Sequence, residues 1–256
     1  MASFETDITL DVLDLFYALP KQKQNNLIKE ILSNLDSDEL NKLIPQNNIN
    51  IDRLNLVNKV LGTDYTSLYE VNWLLISQNQ KLSESFIREF KDYVDWDYIS
   101  SYQTLSEDFI REFQDKVTWI LISQYQQLSE DFIREFQNYV DWFCISQNQK
   151  LSESFIREFK NQVSWYCISE YQKLSENFIR EFQDKVSWMF ISKYQTLSEY
   201  FIREFQDNVN WEYISKYQKL SEDFIREFRN NVDWYWISRM QKLSENFKKE
   251  FKDKIK

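Results

Sequence analysis

The stretch WDYISSYQTLSEDFIREFQDKVT, residues 96–118, decides how most of the chain is built. Its tryptophan has a counterpart at 73 and returns at 119, 142, 165, 188, 211 and 234. The spacing is 23 residues each time, with no insertion or deletion. Eight units result: 73–95, 96–118, 119–141, 142–164, 165–187, 188–210, 211–233 and 234–256. Their shared pattern is W-x-x-I-S-x-x-Q-x-L-S-E-x-F-I-R-E-F-x-x-x-V-x. A short period repeated at this fidelity marks an array whose units bury their apolar faces on one another.

One continuous helix does not fit this period. At 3.6 residues per turn, 23 residues leave successive tryptophans about 140° apart on the helix, and 23 is not a multiple of the heptad. Each unit must therefore contain breaks, and its chemistry places them. Ser106 is a good N-cap, and Leu105 before it has staple spacing to Ile110. Glu107 and Asp108 suit the positive end of the helix that follows. Phe109, Ile110, Phe113 and Val117 continue one apolar stripe, so a trailing helix is expected over about 107–117. A short polar residue precedes each later tryptophan: Asp95, Thr118, Asp141, Ser164, Ser187, Asn210 and Asp233. All are N-cap types. A leading helix of about eight residues is expected to start at the tryptophan, with Trp119, Ile122, Ser123 and Gln126 on one face. Helices this short are marginal alone. Stacking must supply the core, from residues such as Trp96, Ile99, Leu105, Phe109, Phe113 and Val117. The expected fold is all-α: an α-solenoid of eight two-helix repeats behind an N-terminal helical domain.

Comparing the copies separates fixed positions from varied ones. The fixed Ser and Gln of the leading helix are read as a close-packing serine and a glutamine that satisfies the backbone of the turn between the helices. Glu107 and Arg111 have favourable i, i+4 spacing, and the pair recurs until the eighth unit, where Glu245 faces Lys249. Stacking would also bring each Arg near a Glu112-type residue of a neighbour. One varied column runs Gln78, Ser101, Gln124, Gln147, Glu170, Lys193, Lys216, Arg239 and turns basic along the chain. The eighth unit carries a net +4, while the preceding seven sum to −9. It places Lys248 where the others have Ile. That fits a polar cap, or a basic docking patch with Lys249 and Lys252. Candidate partner-binding residues are therefore Lys193, Lys216, Arg239, Lys248, Lys249 and Lys252. Tyr98 and Tyr102 are read as structural neighbours of the tryptophan column.

Composition narrows the chemistry. The chain of 256 residues has one Gly, two Pro, two Cys and no His. A Walker loop or dinucleotide fingerprint needs more glycines. A histidine-dependent nucleophile needs an imidazole, and a four-cysteine or histidine zinc site lacks its ligands. No enzyme activity and no cofactor are expected. The net charge of −10 makes a nucleic-acid partner unfavourable. Cys144 and Cys167, in apolar settings, fit reduced thiols in a cytoplasmic protein. No apolar run approaches a membrane span, and the acidic first residues do not resemble a signal peptide.

Residues 1–72 do not repeat and contain both prolines and Gly62. Helices are expected at about 7–18, 22–34, 37–44, 51–61 and 64–71, with the segment acting as a cap on the array. Within it, LIKEILSNLDSDEL (27–40) resembles the middle of an F-box, with Leu19-Pro20 and Leu56-Val57-Asn58-Lys59 as flanking pieces. That resemblance implies an adaptor of a cullin-type ubiquitin ligase, with residues 19–60 as the docking segment and the array as substrate receptor. The repeat itself resembles the tandem repeats of proteins encoded by large DNA viruses of amoebae, which implies viral origin and a place in the host cytoplasm. The leading expectation is a monomeric, non-enzymatic scaffold that binds protein partners, those of a host if the chain is viral. Ubiquitin-ligase adaptor and single-stranded nucleic-acid binder stand as alternatives.

Overall fold

The computed structural model describes residues 51–255. The chain divides after Asn72 into two units, taken separately here. In the first, residues 51–61 are helical and Val57 is completely buried. Gly62 follows at φ 65°, the one left-handed position among the described residues. A Cβ would be strained in that conformation. Asn58 organises the turn: its carboxamide oxygen accepts from Tyr65 N (2.8 Å) and its amide donates to Tyr65 O (2.8 Å). The helix expected at 64–71 is only a 3₁₀ turn, Leu68–Glu70, capped by Ser67. The helices expected at 7–18, 22–34 and 37–44, and residues 19–50 of the F-box-like segment, lie outside the described residues.

The second unit is an α-solenoid of repeating helix pairs, with no strand among the described residues. Each repeat has a seven-residue leading helix from its tryptophan, as in Trp119–Tyr125, and a six-residue trailing helix, as in Glu107–Glu112. The trailing helix is shorter than the stripe to Val117 suggested. Phe113 leaves helical geometry (φ −112°, ψ 29°), and the chain then runs through tight turns in which Lys116 N and Val117 N both bond to Phe113 O. The apolar rhythm survives those turns, which is why it reads as helix. All sixteen helices end without a left-handed residue. The glutamine closing each leading helix is extended instead, at about −90°, 150°.

The serine caps of the trailing helices all form, each accepting from the N–H of the phenylalanine three residues on. The leading helices are less uniform. Asp95, Asp141, Ser164, Asn210 and Asp233 cap through their side chains, but Thr118 and Ser187 do not. The Thr118 hydroxyl donates instead to the Asp97 carboxylate at the start of its own repeat.

The closest helix packing runs from each leading helix to the next. Ile99, Leu105, Phe109, Phe113 and Val117 are buried, while Trp96 is half-buried. The tryptophans stay at the rim because the indole must reach a polar partner. Its ring packs on two phenylalanines of its own repeat, at 6.3 Å for Trp96–Phe109 and 5.1 Å for Trp96–Phe113. Its N–H donates to a carbonyl of the preceding repeat, Lys91 O at 2.9 Å.

The eighth repeat shows which neighbour covers what. Ile237 and Phe247 remain completely buried there. Ser238, Gln241, Leu243, Phe251 and Ile255 are only half-buried, and Lys248 is exposed, although their counterparts one repeat earlier are buried. Those columns are therefore covered by a following repeat. Lys248 pairs with Glu245 at 2.8 Å in place of the buried isoleucine.

Candidate protein-binding face

The fixed polar residues hold repeats together. Gln149 Oε1 accepts from Leu128 N (3.1 Å), and its Nε2 donates to Ser123 O (3.1 Å) and Gln126 O (2.7 Å). All three partners belong to the preceding repeat, Ser123 near the end of its leading helix and Gln126 and Leu128 in the turn that follows, not to the glutamine's own repeat. The same triple bond is made by Gln103, Gln126, Gln172, Gln195, Gln218 and Gln241. Ser123 accepts from Asp141 N, the last residue of its own repeat and the N-cap of the next leading helix, at 2.9 Å while donating to Trp119 O. Glu107 accepts from Ser129 N at 2.6 Å, so one repeat's carboxylate caps the next repeat's helix. Among the described residues no buried side-chain polar atom lacks a partner. Glutamine and serine are thus spent on the backbone, and no extended ligand can read them.

The trailing helices carry a charge ladder. Arg111 Nε meets Glu135 of the next repeat at 2.8 Å, reaches Glu107 at 3.7 Å, and lies 5.0 Å over the Phe132 ring. Glu135, then burial acting against it, dominate the guanidinium's shift, which is upward. Each of the seven arginines from Arg88 to Arg226 meets a glutamate of the following repeat at 2.6–3.0 Å. These pairs are exposed and individually weak. Cys144 and Cys167 are buried and free. Burial, then the Asp141 side chain, pushes the Cys144 thiol up to about 11, so it is protonated and unreactive at neutral pH.

What remains for recognition is the outer face of the leading helices. The residue after each repeat's tryptophan is exposed; six of the eight are apolar, Leu74, Ile120, Phe143, Tyr166, Met189 and Tyr235, and two are acidic, Asp97 and Glu212. The last residue of each leading helix forms a parallel row, Tyr102, Tyr125, Tyr171, Tyr194, Tyr217 and Met240 in six repeats and Asn79 and Asn148 in the other two. The twelve apolar and aromatic residues of these rows are 42–60% exposed. Tyr102 is therefore not the packed neighbour of tryptophan expected from sequence. It tilts against Tyr98 at 5.7 Å and otherwise faces solvent. Apolar side chains exposed in register over successive units differ from the scattered ones any surface carries. Shallow grooves of about 340–540 Å³ also lie between successive interhelical turns, one of them lined by Asn148, Lys150, Tyr171 and Lys173.

The basic residues singled out from sequence fall in two places. Lys193, Lys216 and Arg239 lie on the leading helices, between the two apolar rows. Lys193 Nζ sits 4.5 Å over the Tyr194 ring, Lys216 Nζ 3.8 Å over Trp236, and the Arg239 guanidinium 3.7 Å over Tyr235. Lys248 and Lys249 are on the eighth trailing helix, and Lys252 is in the turn after it; all three are exposed. No protein-family model, curated protein or solved structure matches the chain. The functional reading rests on this geometry.

Proposed function

We propose that the array is a non-enzymatic scaffold that binds protein partners along the outer face of its leading helices. The observation that carries this reading is the pair of exposed, largely apolar rows between Leu74 and Met240, each apolar in six of the eight repeats. Large apolar groups held in register on a rigid backbone supply contact area at small ordering cost. The fixed polar residues are consumed inside the array, and this face is one of its variable surfaces. No described helix is long and apolar enough to cross a membrane.

The test is affinity capture from cells that make the protein, using the intact chain and an Ile120→Ser/Phe143→Ser/Tyr166→Ser variant. These side chains are 52–56% exposed, so the variant should fold normally. Proteins held by the intact chain and released by the variant are the expected result. Equal retention would remove this face from the function, and no retention by either would contradict protein binding.

A further inference from the structure

The array treats its cations in two ways. Every trailing-helix arginine from Arg88 to Arg226 is neutralised by a glutamate. Lys193, Lys216 and Arg239 make no ion pair among the described residues and lie over aromatic rings, and the Arg239 guanidinium also donates to Tyr235 O at 3.2 Å. Lys216 lies between two of them, 5.1 Å from Tyr217 in its own repeat and 3.8 Å from Trp236 in the next. A ring fixes a cation's position and removes part of its water, yet leaves its charge and most of its N–H donors free. Such cations are preorganised to meet an anion from outside.

Their arrangement states what kind of anion. The three occupy the same place in three successive leading helices, which pack side by side. Neighbouring helix axes lie about 8–10 Å apart. An extended peptide advances roughly 3.3 Å per residue, so carboxylates two to three residues apart would meet successive cations. Exposed Tyr194, Tyr217 and Met240 flank the row and would receive the intervening side chains. Charge favours this end: the leading helices of repeats six to eight carry a net +2, Lys193, Lys216 and Arg239 against Glu212, and those of repeats one to five a net −2, from Asp97 and Glu170. Three cations on a chain of net −10 are a small footprint for a nucleic-acid backbone, but enough for a short acidic segment.

We propose that the leading-helix face of repeats six to eight docks an extended acidic peptide segment, its carboxylates on Lys193, Lys216 and Arg239 and its apolar side chains against Tyr194, Tyr217 and Met240. This rests on the protein-binding reading above and narrows it to one end of the array and one partner chemistry.

The test is fluorescence anisotropy with the full chain and a labelled ten-residue peptide alternating glutamate with leucine or tyrosine. A lysine-for-glutamate peptide and a single-stranded oligonucleotide serve as competing probes. Two triple variants are compared: Lys193→Gln/Lys216→Gln/Arg239→Gln and Lys248→Gln/Lys249→Gln/Lys252→Gln. Both remove three positive charges from exposed positions, and circular dichroism checks their folding. The expected result is binding of the acidic peptide that weakens at least tenfold in the first variant and less than twofold in the second. Equal loss in both would reduce the effect to net charge and overturn the proposal. So would absence of acidic-peptide binding, or preference for the oligonucleotide. A salt-sensitive dimer in sedimentation, lost in the first variant, would assign the face to a second copy and also overturn it. If the first variant still captures every protein that the Ile120/Phe143/Tyr166 variant releases, this proposal fails while the protein-binding reading stands.

Discussion

Replacing Gln149 with alanine is expected to destabilise the array by about 3–6 kcal/mol, an unusually large effect for one polar side chain. The reason is local accounting. Gln149 alone satisfies Leu128 N–H, Ser123 C=O and Gln126 C=O through its carboxamide, and the residue is only 6% exposed. Each buried backbone group left without a partner costs roughly 1–3 kcal/mol, with water entry setting the lower end. Urea denaturation followed by circular dichroism measures the loss. Gln80 provides an internal control. It holds the same place in the first repeat, but its side chain is exposed and makes no such triple bond among the described residues. Gln80→Ala should change stability by no more than about 0.5 kcal/mol. Gln149→Glu tests donor against acceptor: a carboxylate can accept from Leu128 N–H but offers nothing to the two carbonyls. Burial would raise the folded pKa of that new carboxyl above its unfolded value. The variant should therefore be most stable at low pH and lose stability as pH rises through the folded pKa. A loss of under 1 kcal/mol in Gln149→Ala would show that these bonds do not hold the repeats together.

The second large effect is expected from Ile156→Lys. The eighth repeat already carries lysine at this place, and its trailing helix still forms over Glu245–Glu250. Lysine is thus compatible with the repeat itself. It is incompatible with a following repeat, because Ile156 is completely buried whereas Lys248 is exposed and paired with Glu245. Burying an unpaired ammonium in mid-array should cost upwards of about 4 kcal/mol. The cost should fall on one interface, so unfolding should change from one transition to two as the array divides near residue 164. Ile156→Val, which keeps the surface apolar, should cost only about 0.5–1.5 kcal/mol and preserve a single transition. A single transition of near-native midpoint in Ile156→Lys would mean that repeats are not coupled through this column.

The particular residues explain what was legible beforehand. The tryptophan period, the serine caps and the apolar stripe are local signals, and the helix pairs follow from them. The partner of Gln149 was not legible, since own-turn and preceding-turn bonds satisfy the same requirement and only the stacking direction separates them. The end of the trailing helix was hidden because Phe113 and Val117 keep helical rhythm through non-helical turns. Thr118 has the right chemistry for a cap but finds Asp97 first, a contact 21 residues distant in sequence. The exposed apolar face was obscured for a different reason. Leading helices such as Trp142–Asn148 are apolar on two sides, with Ile145 inward and Phe143 outward, so periodicity alone does not say which side is covered. The cations were visible as a column, but the rings that hold them were not.

Amide hydrogen exchange on the native 256-residue chain tests the central claim, that side chains of one repeat satisfy the backbone of its neighbour. The amides of Leu105, Leu128, Leu151, Leu174 and Leu197 lie in turns and bond only to a glutamine of the following repeat, at 3.0–3.1 Å. Leu243 occupies the same place in the eighth repeat, and its N–H has no hydrogen bond among the described residues. The account predicts protection of the five comparable to that of the fully buried Ile145 and Ile168 amides inside the leading helices, with Leu243 exchanging as an open turn. If all six leucine amides exchange together at the rate of Leu243, the repeats are not joined in this way and the account is wrong.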